Sequence, residues 1–331
     1  MPLNLARRGV CLALAWTLVA AAGHAQGAAP AAPATAPAPP PPSPVSGIRS
    51  KISAGDLLSA ESILEVHRAK YGEDGPWLVG LSWLARGAQL LGEPLKTKRY
   101  ISETRARCAE RMARGAELAK DHDLEIALGA AIEVEAQSLQ REAGAAQAAR
   151  FVRGELDKVK GPVALRSRLN KRINMLTLAG SPAPELEIED HPGERPPTLA
   201  GLRGQPVLLF LFAEGCGDCR AQAATLARSV SRYADRGLRV VALTRHYEET
   251  AQRDAETARV DSVWKTVYKD LGPVPVVIST ASMERYGGSS TPTFVFVDRE
   301  GVVRWYTPTR LDEVELDRAL EGLCGEPGKG K

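Results

Sequence analysis

Val207-Leu208-Leu209-Phe210-Leu211-Phe212-Ala213-Glu214-Gly215-Cys216-Gly217-Asp218-Cys219-Arg220 is the stretch on which the reading of this chain turns. An unbroken apolar run of this kind fits a strand buried on both faces, as in a parallel sheet. After the turn, Leu226, Val230 and Tyr233 follow at helical spacing. A strand running into a tight turn and then a helix sets Cys216 at the helix N-terminus. There the unpaired backbone N–H groups and the positive end of the macrodipole favour a thiolate. The thiolate is the nucleophilic form, so Cys216 reads as chemistry before it reads as packing. With two residues between them, Cys216 and Cys219 can close a disulfide reversibly with little backbone movement.

Outward from this turn, strands alternate with helices. After Gly180-Ser181-Pro182-Ala183-Pro184, strand-like runs fall at Val207–Phe212, Leu238–Thr244, Val274–Ser279, Thr293–Asp298 and Val302–Thr307. Helical stretches lie near Arg220–Tyr233, Glu249–Tyr268 and Ala281–Tyr286, with a last one from Leu311 to Leu323. Gly237, after Asp235-Arg236, predicts the C-terminal stop of the first. Asp298-Arg299-Glu300-Gly301 predicts a turn joining two strands. Parallel strands with crossover helices, then an antiparallel hairpin, predict an α/β domain with a mixed sheet covered on both faces.

From 47 to 178 the period is helical, which predicts an all-α domain of helical hairpins. Leu57, Ala60, Leu64, His67 and Tyr71 share one face, and Trp77, Leu81, Leu84, Ala88 and Leu91 form a second stripe. Ala145, Ala149, Val152, Leu156 and Val159 form a third, and Leu165, Leu169, Ile173 and Leu176 a fourth. Breaks are expected at Gly72 to Pro76, Gly92 to Pro94 and Gly161-Pro162. Trp83 and Gly87 keep the Trp-to-Gly spacing of tetratricopeptide repeats, while Arg86 and Leu90 stand in for the usual Leu and Tyr. The half therefore resembles such repeats in part, and docking of a protein partner is the role that resemblance implies. His67, His122 and Trp77 read as core or solvated face, and no chemistry is assigned to them.

The first residues read as an export signal over 1–25. Arg7 and Arg8 are its positive start, Val10 to Ala22 its short apolar core, and Gly23-His24-Ala25 its small cleavage-site residues. That core is too short to span a bilayer comfortably, so a membrane is involved only if the segment stays uncleaved. Gly9-Val10-Cys11 fits a twin-arginine signal poorly, which favours general secretion. Residues 26–46 are almost all Ala and Pro, a linker that cannot build a core. The second domain occupies 179–331 and ends in a short, disordered Gly-, Pro- and Lys-containing tail. Export implies a periplasmic or otherwise extracytoplasmic setting, where disulfides persist. Over 331 residues the formal charge is +3, with no basic stripe interleaved with aromatics, which argues against a nucleic-acid partner. Cys108, at helical spacing with Met112 and Ala116, reads as a buried inert thiol. Cys324 is left either free or paired with Cys108 or another molecule.

Three stretches carry a family resemblance: Leu202-Arg203-Gly204-Gln205-Pro206, then Phe212 to Arg220 around the cysteines, then Tyr286-Gly287-Gly288-Ser289-Ser290-Thr291-Pro292-Thr293-Phe294-Val295-Phe296-Val297-Asp298. In order and spacing they resemble a thioredoxin-fold domain of the TlpA type, the exported thiol–disulfide oxidoreductases, over about Gly180 to Leu323. The resemblance implies that Cys216 attacks a substrate disulfide and that Cys219 resolves the mixed disulfide. It implies a cis Pro292 facing the cysteines, with the Thr291 backbone turned toward the sulfurs to pair with an extended substrate segment. It also implies protein thiols and disulfides as substrates, an upstream electron donor, and neither cofactor nor metal.

The chain departs from that family at several positions. Phe210 stands where many thioredoxins bury an Asp, Gln222 where TlpA-type relatives carry a Glu, and Gly215 where a Trp is common. The proton acceptor for Cys219 is thus unassigned, with Glu214, Asp218, His246 or water as candidates. His246 reads more simply as a solvated loop histidine. Asp218 inside the turn opposes the helix terminus: a carboxylate about 5–6 Å from the sulfur costs its thiolate about 1–3 kcal/mol, and the terminus returns about 0.3–1 kcal/mol. A less stabilised thiolate makes a more reducing pair. The rival functions are a copper-handling metallochaperone using both cysteines with His246 as third ligand, and a binding protein whose helical half docks a partner with the redox pair secondary. A peroxiredoxin is disfavoured, because the residues just before Cys216 lack the Thr that its peroxide pocket requires.

Overall fold

The computed structural model describes residues 42–161 and 163–325. The expected export signal, most of the Ala/Pro segment, Pro162 and the C-terminal tail lie outside the described residues. The helical half consists of α1 (Val45–Ser53), α2 (Leu57–Tyr71), α3 (Gly75–Leu90), α4 (Pro94–Ala113), α5 (His122–Lys158) and α6 (Val163–Thr177). Short acidic side chains set the starts of α2, α3 and α5. Asp56 accepts from the Ser59 N–H at 3.0 Å, Asp74 from Trp77 at 2.8 Å and Asp121 from Leu124 at 2.9 Å. α3 is apolar nearly all round and packs against α1, α2, α4 and α5, as a helix without a polar face must. Trp77, Leu81, Leu84 and Ala88 are buried along it, together with Ile48, Leu64, Cys108 and Leu124 from its neighbours.

The structure departs from the expected stripes of this half at Leu91 and at Ala145. Leu91, read as the last member of the α3 stripe, caps the helix and is exposed. The long α5 is two helices in succession, broken where Gly144 adopts φ 83° and ψ 168°. A side chain with a Cβ is disfavoured at that positive φ. Ala145, just past the break, is exposed, while Ala149 is buried and Val152 and Val159 turn inward onto Leu165, Leu169 and Ile173 of α6.

The second half runs β1 (Val207–Leu211), α7 (Gly217–Tyr233), β2 (Arg239–Thr244), α8 (Arg253–Thr266), β3 (Val276–Ile278), α9 (Thr280–Arg285), β4 (Thr293–Val297), β5 (Val303–Thr307) and α10 (Glu313–Cys324). The strand order is β3-β2-β1-β4-β5, parallel among the first three and antiparallel at β4 and β5. This is the all-α half followed by the mixed-sheet half that the sequence predicts. β1 is central, and its alternation splits the core in two. Leu208 and Phe210, with Phe212, point to the face covered by α7, α8 and α10. Val207, Leu209 and Leu211 point to the other, under Leu186, Leu199, Met283 and Tyr286. The Asp298–Gly301 turn closes the β4–β5 hairpin, with the Gly301 N–H donating to the Asp298 carbonyl at 2.9 Å.

α6 ties the halves together. It packs on α9 and β5. The Arg166 guanidinium pairs with Glu284 at 2.7 Å, and the Asn174 amide donates to the Arg285 carbonyl at 3.0 Å. Gly287 passes so close that a Cβ there would lie 2.4 Å from the Lys171 Cα. Only glycine fits.

Candidate functional site

β1 delivers the chain to the site. Its end at Leu211 is extended by the Phe212 N–H, which donates to the Leu243 carbonyl at 3.0 Å. The turn then closes with the Cys216 N–H on the Ala213 carbonyl at 3.0 Å, and α7 begins at Gly217. Cys216 is the N-cap residue, and its sulfur accepts the Cys219 N–H at 3.1 Å. The two cysteines are disulfide-bonded, with Cα atoms 5.3 Å apart, inside the normal range for the bond. Cys216 is half-buried and Cys219 fully buried. An incoming sulfur therefore reaches Cys216 first.

The Thr291-Pro292 loop faces this turn. The Thr291–Pro292 bond is cis, and the Thr291 carbonyl oxygen lies 3.4 Å from the Cys216 sulfur. In the dithiol form the Cys216 thiol has an acceptor there. Thr293 Oγ1 donates to the Ser290 carbonyl at 2.7 Å, which folds the loop as it enters β4.

The charged residues around the pair are placed as follows. Asp218 is 67% exposed and 3.5 Å from the Arg310 guanidinium. In water and beside a cation, its field at the sulfur falls to the weak end of the range expected from the sequence. Glu214 accepts from Arg259 at 3.0 Å, and Arg220 donates to the Glu214 carbonyl at 3.1 Å. The same Arg259 also pairs with Glu248. Gly215 opens onto free space, with no atom within 4 Å of where a Cβ would stand.

Beneath the turn the surroundings are apolar. Cys219 lies in one cluster with Phe210, Phe212, Leu226 and Trp264. Phe210 fills its position by packing against Phe212, Tyr268 and Phe294, stacked, edge-on and tilted in turn, with ring centroids 6.0, 5.7 and 5.3 Å away. Gln222 is buried and turns both ends of its amide to one residue, donating to the Leu311 carbonyl at 2.9 Å and accepting the Leu311 N–H at 3.0 Å.

His246 is not the solvated loop histidine that its sequence context suggests. Its side chain is 6% exposed, with Nδ1 3.0 Å from Glu256 and Nε2 3.1 Å from Asp190. Both ring nitrogens are committed to carboxylates, which leaves neither for a sulfur-bound metal or for the Cys219 proton. Among the described residues no group of three or more His, Cys, Asp or Glu side chains is arranged to hold a metal ion. Among the described residues Cys108 and Cys324 are unpaired, and they are buried in separate cores. Burial pushes the Cys108 thiol up to about 12 and raises that of Cys324, so neither is a thiolate near neutral pH.

One contact at the site has no counterpart in the reading of the sequence. The Lys171 ammonium, on α6, donates to Ser290 Oγ at 3.0 Å, one residue before Thr291. The helical half, to which no chemistry was assigned, thus touches the loop that faces the sulfurs. Residues so far apart in the chain leave no local signal.

Residues 179–306 match the model of the AhpC/TSA family. Comparison with curated proteins returned no match. Among solved structures, a thioredoxin-like superfamily protein is 22% identical with a TM-score of 0.38, over 45% of this chain and 99% of that one. A thiol:disulfide interchange protein of the thioredoxin family from Chlorobium tepidum is 20% identical with a TM-score of 0.35, over 44% of this chain and 97% of that one. A secreted Mycobacterium tuberculosis disulfide oxidoreductase is 19% identical with a TM-score of 0.31, over 38% of this chain and 86% of that one. The family match over residues 179–306 and the strand order fit a thioredoxin-like fold for the C-terminal half, which carries the Cys216–Cys219 pair. Among the described residues no helix is long and apolar enough to cross a membrane.

Proposed function

We propose that this chain is an exported thiol–disulfide oxidoreductase that exchanges disulfides with protein substrates through Cys216 and Cys219, working toward reduction. The observation that carries the reading is the half-buried Cys216 sulfur, bonded to Cys219 at the start of α7 and 3.4 Å from the Thr291 carbonyl. In the dithiol form, the Cys216 thiolate attacks one sulfur of a substrate disulfide, and the other substrate sulfur leaves as a thiolate. The Cys219 thiolate then attacks Cys216 within the mixed disulfide. This closes the Cys216–Cys219 bond and frees the second substrate thiol. Two electrons and two protons pass to the substrate, and an upstream dithiol donor restores the pair. The Thr291 backbone holds the substrate segment in extended form during the exchange. The apolar surroundings of Cys219 fit a proton acceptor that is water or the departing substrate thiolate. The export signal read at residues 1–25 supports an extracytoplasmic setting, and the helical hairpins of α1 to α6, read as degenerate tetratricopeptide-like units, support docking of a protein.

Titration of the pair against glutathione tests the direction. A potential well below about −120 mV, the value of a strong oxidase, is expected, together with reduction of insulin disulfides when a dithiol is supplied. A value near about −120 mV would refute the reductive role.

A further inference from the structure

A cavity of about 440 Å³ opens between α3, α5 and α6, and its wall reaches Ser289, two residues from Thr291. The size is that of a site for a small ligand or a few residues of peptide. At the end next to the Thr291 loop, Glu133 of α5 is 5% exposed and faces an excess of cations. Its Oε2 accepts from Arg86 at 3.1 Å and from Arg168 at 2.7 Å, and its Oε1 lies 3.8 Å from the Lys171 ammonium. Arg172, buried one residue on, adds its charge to the same field. One carboxylate cannot satisfy this set. Arg86 spends one of its five N–H donors on Glu133 and stacks near Trp83, at 5.7 Å from the ring centroid. Among the described residues its remaining donors have no hydrogen-bond acceptor.

The other acidic group of the cavity is remote from that end. Glu125 precedes Glu133 by two turns of α5, about 12 Å along the axis, and stands beside His122 at 3.9 Å. The cation-rich end is therefore the one that adjoins the redox loop, through Lys171 and Ser290.

We propose that this cavity is a second substrate-contact site, which takes a carboxylate side chain of the protein substrate two to four residues from its reacting cysteine. The inference rests on the exchange function proposed above and names the kind of protein segment it favours. A segment extended along Thr291 advances about 3.3 Å per residue, so two to four residues span about 7–13 Å, toward the end of the cavity that Ser289 and Lys171 mark. A carboxylate there meets charge-assisted donors and relieves the mutual repulsion of Arg86, Arg168 and Lys171. Arg86 is then a specificity residue, contributed by the half of the chain that lacks the cysteines.

The test uses the full chain and two fluorescent peptides in which serine replaces the cysteine, with Glu or Gln at the second to fourth positions on either side. Anisotropy titrations are expected to give the Glu peptide about tenfold tighter binding than the Gln peptide. That preference should shrink at high salt and fall below about threefold in Arg86→Gln, with part of it restored in Arg86→Lys. Equal binding of the two peptides by the wild-type chain, or a preference indifferent to salt and to Arg86, would overturn the proposal. Turnover of bis(2-hydroxyethyl) disulfide by the wild-type chain reads the exchange chemistry alone. Its absence would sink the exchange function, while the peptide preference still reports on the cavity.

Discussion

Gln222 and Leu311 are joined by two hydrogen bonds in opposite directions, from the Gln222 amide to the Leu311 carbonyl and from the Leu311 N–H to the Gln222 amide oxygen. The pair fastens α7, three residues after Cys219, to the segment that leads into α10. It also explains why an acid is absent at this position. A carboxylate has no N–H, so it would set an acceptor against the Leu311 carbonyl.

Gln222→Glu should therefore destabilise the fold by about 1–3 kcal/mol near neutral pH, the cost of an unmade buried bond and more if the carboxylate is charged. Burial raises the pKa of such a group above its unfolded value of about 4.3. The penalty is then smallest below that value and grows as pH rises through the interval up to the folded pKa. Thermal melts of both proteins across pH check this. A gap that narrows toward neutral pH would contradict the assignment.

Glu133 gives the opposite pH dependence. Burial pushes its carboxyl up, but the charge and hydrogen bond of Arg168, with Lys171 and Arg86, outweigh burial and hold it below the usual carboxylate range. A depressed folded pKa stabilises the native state above the unfolded value of about 4.3, and this contribution is lost as pH falls through the folded value. Glu133→Gln should cost about 3–5 kcal/mol at pH 7, because three cations lose their shared partner. Its deficit against wild type should narrow in acid, as followed by denaturant melts at several pH values.

The four described cysteines should separate in alkylation. After reduction, Cys216 should react with iodoacetamide first and Cys219, fully buried beneath it, much later. Cys108 and Cys324 should label only when the protein is unfolded, since both are buried and their thiols are raised by burial. Mass spectrometry of timed digests reads the order. Early labelling of Cys108 would show that the helical core opens readily.

What was legible in the sequence followed from local pattern. The apolar run before Cys216 is β1, its turn and helix put Cys216 at the N-cap of α7, and the strands fall where the periodicity puts them. The strand expected over Val274–Ser279 shortens to Val276–Ile278, because Pro273 and Pro275 supply no N–H to a ladder. Gly144 was missed because the surrounding alanines keep helical spacing on both sides of the break. His246 was misread because one of its carboxylate partners, Asp190, is 56 residues away. Lys171 and Ser290, 119 residues apart, meet only because α6 folds back onto α9. Local pattern places a cysteine on a helix, but the charges around it come from distant segments.

The central claim, that Cys216 is the attacking sulfur and Cys219 the resolving one, is tested most directly by Cys219→Ala. With no resolving thiol, this variant should accumulate a mixed disulfide between Cys216 and a substrate protein, releasable by dithiothreitol and absent when Cys216 is also replaced. Peptide mapping of the trapped adduct should find the bond at Cys216. Adducts found only at Cys108 or Cys324 would contradict the account.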